Sequence, residues 1–253
     1  MSAMPNGGRI GVVNIPAYPL SSISGIWTPE DAAISPWPNI SAVSDVTYSN
    51  VAAHLHMEGI PGQAGAFNSS GHGSQFSTSG TAVAHPVLST TQAKFGRTSM
   101  FFSGVSYLYS PSNAAYNLST GDFTVRCWIY PTVMNAASGI FNIGGFQPEI
   151  YFDSTGVLIW YFGGNRITSS AGTIVANSWQ FVEATRVSGN SRLFVGGTQA
   201  GSTYVDANNY AQNTINVGGT DLYTGYIDEF QLVVGQGVHT TNYSAPTTPF
   251  ADY

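Results

Sequence analysis

The segment DFTVRCWIY, residues 122–130, alternates between two kinds of side chain. One set suits a protein core and consists of Phe123, Val125, Cys127 and Ile129. The other set consists of Thr124, Arg126, Trp128 and Tyr130. Successive side chains of a β-strand point to opposite faces, so this period of two predicts a strand with one buried face. We therefore expect truncation of Phe123 to cost much more stability than truncation of Thr124.

Short strand patterns of the same kind continue through the chain from Val46. They include GIFNIG (139–144), PEIYFD (148–153), VLIWYF (157–162), WQFVEATRV (179–187), RLFVGG (192–197) and TINVGG (214–219). Turn residues separate them at hairpin spacing, which predicts an all-β, antiparallel two-sheet jelly-roll sandwich. Near the C-terminus Ile227 and Phe230 break the alternation, and a β-bulge at Asp228 and Glu229 would turn both inward.

The composition narrows the classes of function. Charged residues make up 8% of the chain, against roughly 25% in an average soluble domain, and the formal net charge is −6. This balance argues against binding to nucleic acid, which needs a basic face. Cys127 is the only cysteine, so an internal disulfide is excluded. The apolar runs are too short for membrane insertion, and the N-terminus lacks the apolar core of a signal peptide, so folding in a cytoplasm is expected.

Residues 1–45 are predicted to form a proline-rich extended N-terminal arm. Six of the 13 prolines lie there, and proline disfavours both helices and central strands. The arm also carries large apolar residues that are unusual in a solvated tail: Ile10, Val12, Ile15, Tyr18, Trp27 and Trp37. We therefore expect the arm to dock on another protein. Residues 46–253 are expected to form the jelly-roll domain, ending in an extended C-terminal tail.

Seven segments, taken in order, carry a family resemblance. They are TYSNVAAHLHMEG (47–59), NSSGHG (68–73), AKFGRTSMFFSG (93–104), YLYSP (107–111), TGDFTVRCWIYP (120–131), NSWQFVEATRVSGNSRLFVGG (177–197) and GYIDEFQLVVGQGVHTTNYSAPTTPF (225–250). Together they resemble the laminin-G-like, concanavalin-A-like jelly-roll domains of bacteriophage structural proteins. In that family the tail after the last strand runs back across the sandwich.

The resemblance implies a non-enzymatic virion protein, displayed on the particle surface as a head decoration or a short fibre subunit. The expected partners are other virion proteins, contacted through the arm, and further copies of the chain, with a trimer favoured. Assembly would take place in the host cytoplasm. Two alternatives remain open: a tail-fibre-type adhesin whose main role is to bind a host receptor, and a glycan-degrading enzyme.

Binding of a host-surface glycan would need an aromatic platform with polar groups beside it. The stretch IWYFGGNRI (159–167) and the preceding strand offer such a set: Tyr151, Trp160, Tyr161, Asn165 and Arg166. Alternation puts Trp160 and Tyr161 on opposite faces, so at most one can be the platform. We expect Tyr161 to be exposed and Trp160 to belong to the core. Trp128 is expected to pack inside the sandwich.

Neither a metal nor another cofactor is expected. His54, His56 and Glu58 alternate and could meet as a zinc site, but the histidines are expected to be held by hydrogen bonds. The loop DANN (206–209) offers oxygen ligands for calcium, yet short loops of this kind are mostly turns. The resemblance implies calcium in some members, but Asn68 and Glu58 stand where aspartate is usual, which puts a calcium site in doubt.

Catalysis is not expected either. Concanavalin-A-like enzymes that cleave β-glucans carry a Glu-x-Asp-x-x-Glu strand whose carboxylates act as nucleophile and acid. The nearest match, YIDEFQ (226–231), keeps the aspartate, Asp228, but has a tyrosine and a glutamine in place of the two glutamates. Glu149 and Asp153 also share a strand face, but their spacing differs from that of the glucanase motif. The chain is therefore predicted not to be an enzyme.

Overall fold

A computed structural model describes residues 45–79, 84–144, 147–219 and 223–251. These residues form antiparallel strands and two 3₁₀ turns, Tyr48–Asn50 and Ala114–Tyr116. In chain order the strands are β1 (Val51–Leu55), β2 (Ser77–Thr78), β3 (Val87–Ser89), β4 (Ser99–Ser103), β5 (Leu108–Ser110), β6 (Phe123–Pro131), β7 (Ser138–Ile143), β8 (Glu149–Phe152), β9 (Leu158–Tyr161), β10 (Asn165–Thr168), β11 (Gln180–Val187), β12 (Asn190–Val195), β13 (Thr198–Gln199), β14 (Tyr204–Val205), β15 (Ile215–Val217) and β16 (Thr224–Val234). The chain is therefore all-β, as predicted.

The arm residues named above, Ile10, Val12, Ile15, Tyr18, Trp27 and Trp37, lie outside the described residues. Within the described ranges, no helix has the length and apolar character needed to cross a bilayer.

The larger sheet has nine strands and is organised around β16. Its order is β13-β12-β11-β6-β16-β4-β3, with β1 also paired to β16 and β14 to β12. The 11-residue strand β16 follows β6 along one edge. On its other edge it pairs first with β4 and then, beyond a bulge, with β1. The last long strand thus joins the first strand of the domain to the centre of the sheet.

The smaller sheet has seven strands in the order β10-β9-β8-β7-β15-β5-β2. The hairpin between β8 and β9 closes with a turn formed by DSTG, residues 153–156. There the Asp153 carboxylate accepts hydrogen bonds from the backbone N–H groups of Thr155 (2.8 Å) and Val157 (3.1 Å). These bonds to the ionised form, rather than burial, hold the pKa of Asp153 below its usual value. The Asp153 carboxylate therefore stabilises the turn.

The main hydrophobic core lies between the two sheets. The predicted inner face of β6 is buried in it: Phe123, Val125, Cys127 and Ile129. The Phe123 ring lies 5.6 Å from the Trp160 ring of the opposite sheet, and Tyr210 meets Phe123 edge-on at 6.0 Å. The Arg186 guanidinium sits 5.0 Å from the centre of the Phe123 ring. The alternation read from residues 122–130 is confirmed.

The predicted bulge in the last strand is also confirmed. The register between β16 and β6 shifts between Asp228 and Gln231, and Glu229 has a φ of +50°. The extra residue lets Ile227 and Phe230 both enter the core, where each is fully buried. It also turns Glu229 towards the outer face, where the two histidines near the end of β1 lie.

The C-terminal tail, residues 235–251, crosses the outer face of the nine-stranded sheet. The Val238 N–H donates to the hydroxyls of Thr124 (3.0 Å) and Thr185 (3.2 Å). Further along, the Phe250 ring lies 4.5 Å from the Arg126 guanidinium. This face is therefore an internal contact rather than an open surface.

The position of the tail corrects two expectations about β6. Thr124 is fully buried and hydrogen-bonded, so its truncation is not the cheap surface change that alternation suggested. Trp128 does not pack inside the sandwich. It is 7% exposed on the outer face, where its ring lies 3.9 Å from the Lys94 ammonium and 5.4 Å from the Phe181 ring. Alternation assigned the faces correctly, but it carries no information about a further layer of chain.

Candidate functional site

A row of polar side chains crosses the outer face of the seven-stranded sheet, one from each strand. We call this set the polar row; in strand order it consists of Asn165, Tyr161, Glu149, Asn142, Asn216, Tyr109 and Ser77. Each member is paired directly with the next, and directly paired residues project from the same face. Their chain neighbours, such as Ile150 and Trp160, enter the core, so the polar row faces outward.

The accessible end of the polar row lies at β8, β9 and β10. Tyr161 is partly exposed, as is Tyr151 on the same face, and their ring centroids are 6.4 Å apart in an edge-to-face arrangement. The Tyr151 hydroxyl donates to the side-chain oxygen of the exposed Asn165 at 3.3 Å. This end offers two aromatic rings beside hydroxyl and amide groups. Such a combination of apolar faces and directed polar groups suits a hydroxylated ligand.

The centre of the polar row is buried. The Asn216 amide nitrogen donates to the Asn142 side-chain oxygen at 2.7 Å, and Glu149 lies beside this pair with 2% of its surface exposed. A buried amide that makes such a bond contributes about 1 kcal/mol and, more importantly, avoids a larger desolvation cost. The centre therefore supports the row, and ligand access is confined to its ends.

Two of the five glycan candidates lie away from this end. Trp160 is 1% exposed and packs in the core between Phe123 and Tyr210, so it cannot contact a ligand on the outer face. Arg166 lies in the bulge between Asn165 and Ile167, and its guanidinium lies 5.8 Å from the centre of the Tyr204 ring. Its Nε donates to the Phe162 carbonyl at 2.7 Å. Tyr151, Tyr161 and Asn165 are the candidates that the structure brings together.

The central members of the polar row were not predicted from the sequence to lie in a common site. Asn142, Asn216 and Glu149 each stand beside apolar residues in the patterns FNI, INV and EIY. A single polar residue between inward-facing apolar neighbours indicates an outward side chain. The sequence held that signal, but alignment of the residues in one row depends on strand register, which the sequence does not show.

A second group of functional side chains lies on the nine-stranded sheet, where β1 meets the bulge of β16. His56 Nδ1 lies 2.8 Å from Glu229 Oε1, and His54 Nε2 lies 4.0 Å from Glu229 Oε2. The two imidazole rings are 4.1 Å apart. His54 and Glu229 are buried, whereas the side chain of His56 is 12% exposed. We call these three residues the histidine cluster.

Glu58 does not join the histidines, although strand alternation would have brought it to their face. β1 ends at Leu55, and Met57 takes a φ of +57°, so the alternation does not extend to Glu58. Its carboxylate instead accepts from the Arg97 N–H at 2.9 Å and the Thr98 hydroxyl at 3.4 Å. Burial raises the pKa of Glu58 despite these bonds. The carboxylate beside the two histidines is that of Glu229.

The two positions considered for calcium have internal roles in the fold. Asn68 accepts the His54 N–H at 2.9 Å and donates to the Ser74 carbonyl at 3.1 Å, which ties the following turn to β1. In the DANN loop, Asp206 is buried and accepts hydrogen bonds from Ser191, Asn208 and Tyr210. It also lies 3.6 Å from Arg186. Both carboxylate oxygens of Asp206 are engaged by these groups.

The carboxylate of the partial glucanase motif is similarly engaged. Asp228 is buried, and one of its oxygens accepts the backbone N–H groups of Lys94 (2.8 Å) and Phe95 (3.2 Å). Burial, followed by repulsion from Glu229, raises the pKa of Asp228 well above its usual value. Glu149 and Asp153, the other same-face carboxylates, have separate places: one lies in the polar row and the other in the β8–β9 turn.

The family model for Laminin_G_3, of the concanavalin A-like lectin/glucanases superfamily, matches residues 102–234, more than half of the chain. The chain therefore belongs to this family, and its two-sheet sandwich is the jelly roll expected of a member. No match is found among curated proteins.

Several solved structures share the fold at low sequence identity. One is domain 4 of an extracellular GH43 arabinanase from Geobacillus stearothermophilus, in complex with arabinotriose (14% identity, TM-score 0.55, covering 75% of this chain and 94% of that one). Another is Trypanosoma rangeli sialidase in complex with sialic acid (14%, TM-score 0.56, 80% and 33%). A third is the binding domain of botulinum neurotoxin DC with rat synaptotagmin II (16%, TM-score 0.53, 77% and 50%).

This chain thus spans about half of that neurotoxin chain and about a third of the sialidase chain. At these identities the likeness establishes the fold alone.

Proposed function

We propose that this protein is a non-enzymatic carbohydrate-binding jelly roll, and that it binds sugar at the accessible end of the polar row. The observation that carries the proposal is the meeting of Tyr151, Tyr161 and Asn165 on one outer face of a lectin-like fold. The superfamily to which this family belongs includes lectins, and the arabinanase domain noted above is in complex with arabinotriose.

The chemistry of this end suits a neutral sugar. The apolar C–H face of a pyranose or furanose ring packs against an aromatic ring, and its hydroxyls need both donors and acceptors nearby. Tyr161 supplies a ring, and Asn165 supplies an amide with one oxygen and two N–H donors. Glu149, the acidic member of the row, is buried, and the Asp153 carboxylate on the same face is held by the β8–β9 turn.

The absence of catalysis is part of the proposal. A glycosidase needs two carboxylates flanking a substrate, one of them with a proton to donate. Asp228 and Glu229 are buried, and they accept backbone N–H groups of Lys94 and Phe250, respectively. Asp153 is committed to a turn. These engagements support a binding role rather than hydrolysis.

A glycan array with the full chain tests the binding site. Wild-type protein should bind a subset of glycans, and Tyr161→Ala should weaken that binding roughly tenfold or more, since a stacking face is worth more than about 1 kcal/mol. Tyr109→Ala is the matched control. It removes a tyrosine from the same row four strands away, about 19 Å at the usual strand spacing, and should leave binding unchanged.

The result is interpretable only if both variants keep the wild-type circular dichroism spectrum and nearly the same melting temperature. Lack of glycan binding by the wild-type chain would end the proposal. Equal affinities of wild type and Tyr161→Ala would show that the sugar binds elsewhere.

We propose that the protein lies on the surface of a bacteriophage particle, where it serves as a head decoration or a short fibre subunit. The sequence resemblance described above supports this setting, as do the low charge and the apolar, proline-rich residues 1–45. Gold-labelled antibodies against the jelly roll should decorate purified particles. Particles assembled with a chain lacking residues 1–45 should lose the label, whereas retention would show that the arm is not the anchor.

A further inference from the structure

The histidine cluster is assembled by a special feature of the backbone. Ile227 faces the core, so a regular strand would point Glu229, two residues further on, inward as well and away from the histidines. The bulge inserts one extra residue and holds Glu229 at a φ of +50°, a conformation that is uncommon for residues other than glycine. His56 lies 173 residues from Glu229 in sequence, yet the two are in direct contact.

We propose that His54, His56 and Glu229 bind one divalent transition-metal ion of the zinc class. The ligand atoms of the three residues all lie within 4.8 Å of one another. Two ligands 2.0–2.1 Å from a tetrahedral ion are about 3.3 Å apart. The separations of 2.8 Å and 4.0 Å between the glutamate oxygens and the two imidazole nitrogens lie on either side of this value. Small side-chain shifts would therefore accommodate the ion.

The chemistry of the donors suits such an ion. Two imidazoles and one carboxylate form a ligand set that zinc uses with water in the fourth position. The partial exposure of His56 gives the ion and a water molecule a route to the cluster.

The surrounding charges also favour a cation. The carboxylates of Asp228 and Glu58 lie close enough to Glu229 to repel its charge. A divalent ion at Glu229 would offset this mutual repulsion. The nearby positive charge of Arg126 is compensated by Asp45, whose oxygens lie 2.6–2.7 Å from the guanidinium, and by Glu183 at 3.9 Å.

A bound ion would join three parts of the chain that are remote in sequence. His54 lies in β1, His56 follows directly after it, and Glu229 lies in β16. The Phe250 N–H of the tail donates to Glu229 Oε2 at 3.0 Å, which orients the carboxylate. We infer a structural ion that holds β1, the bulge of β16 and the end of the tail together. This inference does not depend on sugar binding.

The test uses the full chain, purified without a histidine tag, stripped with a chelator and dialysed. Zn²⁺ is titrated by calorimetry, and Co²⁺ is added separately because its visible absorption reports tetrahedral coordination. We expect one ion per chain and a higher melting temperature with Zn²⁺. His56→Ala and Glu229→Gln should each weaken binding at least tenfold. Glu229→Gln retains the shape of the side chain and an acceptor for the Phe250 N–H.

His239→Ala is the matched control. His239 also contacts a buried carboxylate on this face, that of Glu183 at 2.9 Å, but it has no second histidine beside it in the described structure. It should bind Zn²⁺ like the wild type. The proposal is overturned if the wild-type chain binds no ion, or if folded His56→Ala binds as tightly as wild type. Should that variant fail to fold, His56→Gln provides the same comparison. Equal weakening by His239→Ala would likewise refute a specific site.

Discussion

Replacing Phe123 by alanine should strongly destabilise the sandwich, because this ring connects the two sheets. Phe123 is fully buried, its centroid lies 5.6 Å from that of Trp160, and Tyr210 meets it edge-on at 6.0 Å. The Arg186 guanidinium, which is also buried, sits 5.0 Å from the ring centre. Alanine would leave a cavity bordered by two aromatic rings and by a charged group that had lost one of its two aromatic partners.

The structure sets the size of the effect. Truncation of a buried phenylalanine costs about 3–5 kcal/mol, and aromatic pairs contribute about 0.5–1.5 kcal/mol beyond the buried area. Loss of both ring contacts places Phe123→Ala near the upper end, at about 4–5 kcal/mol. For a domain of this size, each kcal/mol lowers the melting temperature by about 2–4 °C. The expected decrease is therefore roughly 8–20 °C.

The adjacent residue provides the comparison. Thr124→Val keeps the side-chain shape and removes a hydroxyl that lies 3.1 Å from the Thr185 hydroxyl. The Val238 N–H, which bonds to both hydroxyls, keeps its bond to Thr185. We expect a cost of about 1–2 kcal/mol. Guanidinium denaturation followed by tryptophan fluorescence measures both variants. A cost for Phe123→Ala no larger than that for Thr124→Val would refute the placement of Phe123 at the centre of the core.

Two further predictions use single side chains as probes. Burial strongly raises the pKa of the Cys127 thiol. A thiol reagent should therefore label the native protein far more slowly than the chain unfolded in guanidinium. Equal labelling rates would contradict the inward orientation of Cys127. Burial would raise the pKa of Asp45, but its hydrogen bonds to Arg126 and the charge of that residue lower it below its usual value. The stability that Asp45 contributes is therefore present above its unfolded-state pKa of about 3.9 and is lost as the pH falls through the lower folded-state value. Asp45→Asn should lower the free energy of unfolding by only about 1–2 kcal/mol at pH 7, because Asp45 is partly exposed and solvent screens the pair. In urea melts the difference in stability from wild type should disappear as the pH is lowered. A difference that persists at low pH would rule out the ion pair as its cause.

The faces of the strands could be predicted from the sequence, whereas what covers each face could not. The period of two in residues 122–130 assigned Phe123 to the core and Trp128 to the other side. That other side is buried as well, because the tail adds a layer. The bulge at Glu229 was also predictable, since Ile227 and Phe230 are three residues apart and both must enter the core.

The candidate sites were predictable only in part, because they depend on which strands become neighbours. Alternation selected Tyr161 rather than Trp160 as the outward-facing aromatic residue. It did not place Glu149 and Asn142 beside Tyr161 in one row, since that requires the register of three strands. For the histidine cluster, alternation continued past the end of β1 and pointed to Glu58. The left-handed backbone at Met57 ends the strand geometry, and the third residue comes instead from β16.

The distribution of charge explains why the tail has a fixed path. This chain has 7 basic and 13 acidic residues, yet Arg126, Glu183 and Glu229 are buried beneath the tail on one face of the nine-stranded sheet. Glu183 meets His239 of the tail at 2.9 Å, and Glu229 accepts the Phe250 N–H at 3.0 Å. Buried charges add little net stability when they are paired, but they cost several kcal/mol when a partner is removed. An apolar cover could shift along the sheet at small cost, whereas this tail cannot move without leaving those charges uncompensated. We infer that the charges specify the position of the tail, which covers this face, whereas Tyr151, Tyr161 and Asn165 stay accessible on the opposite sheet.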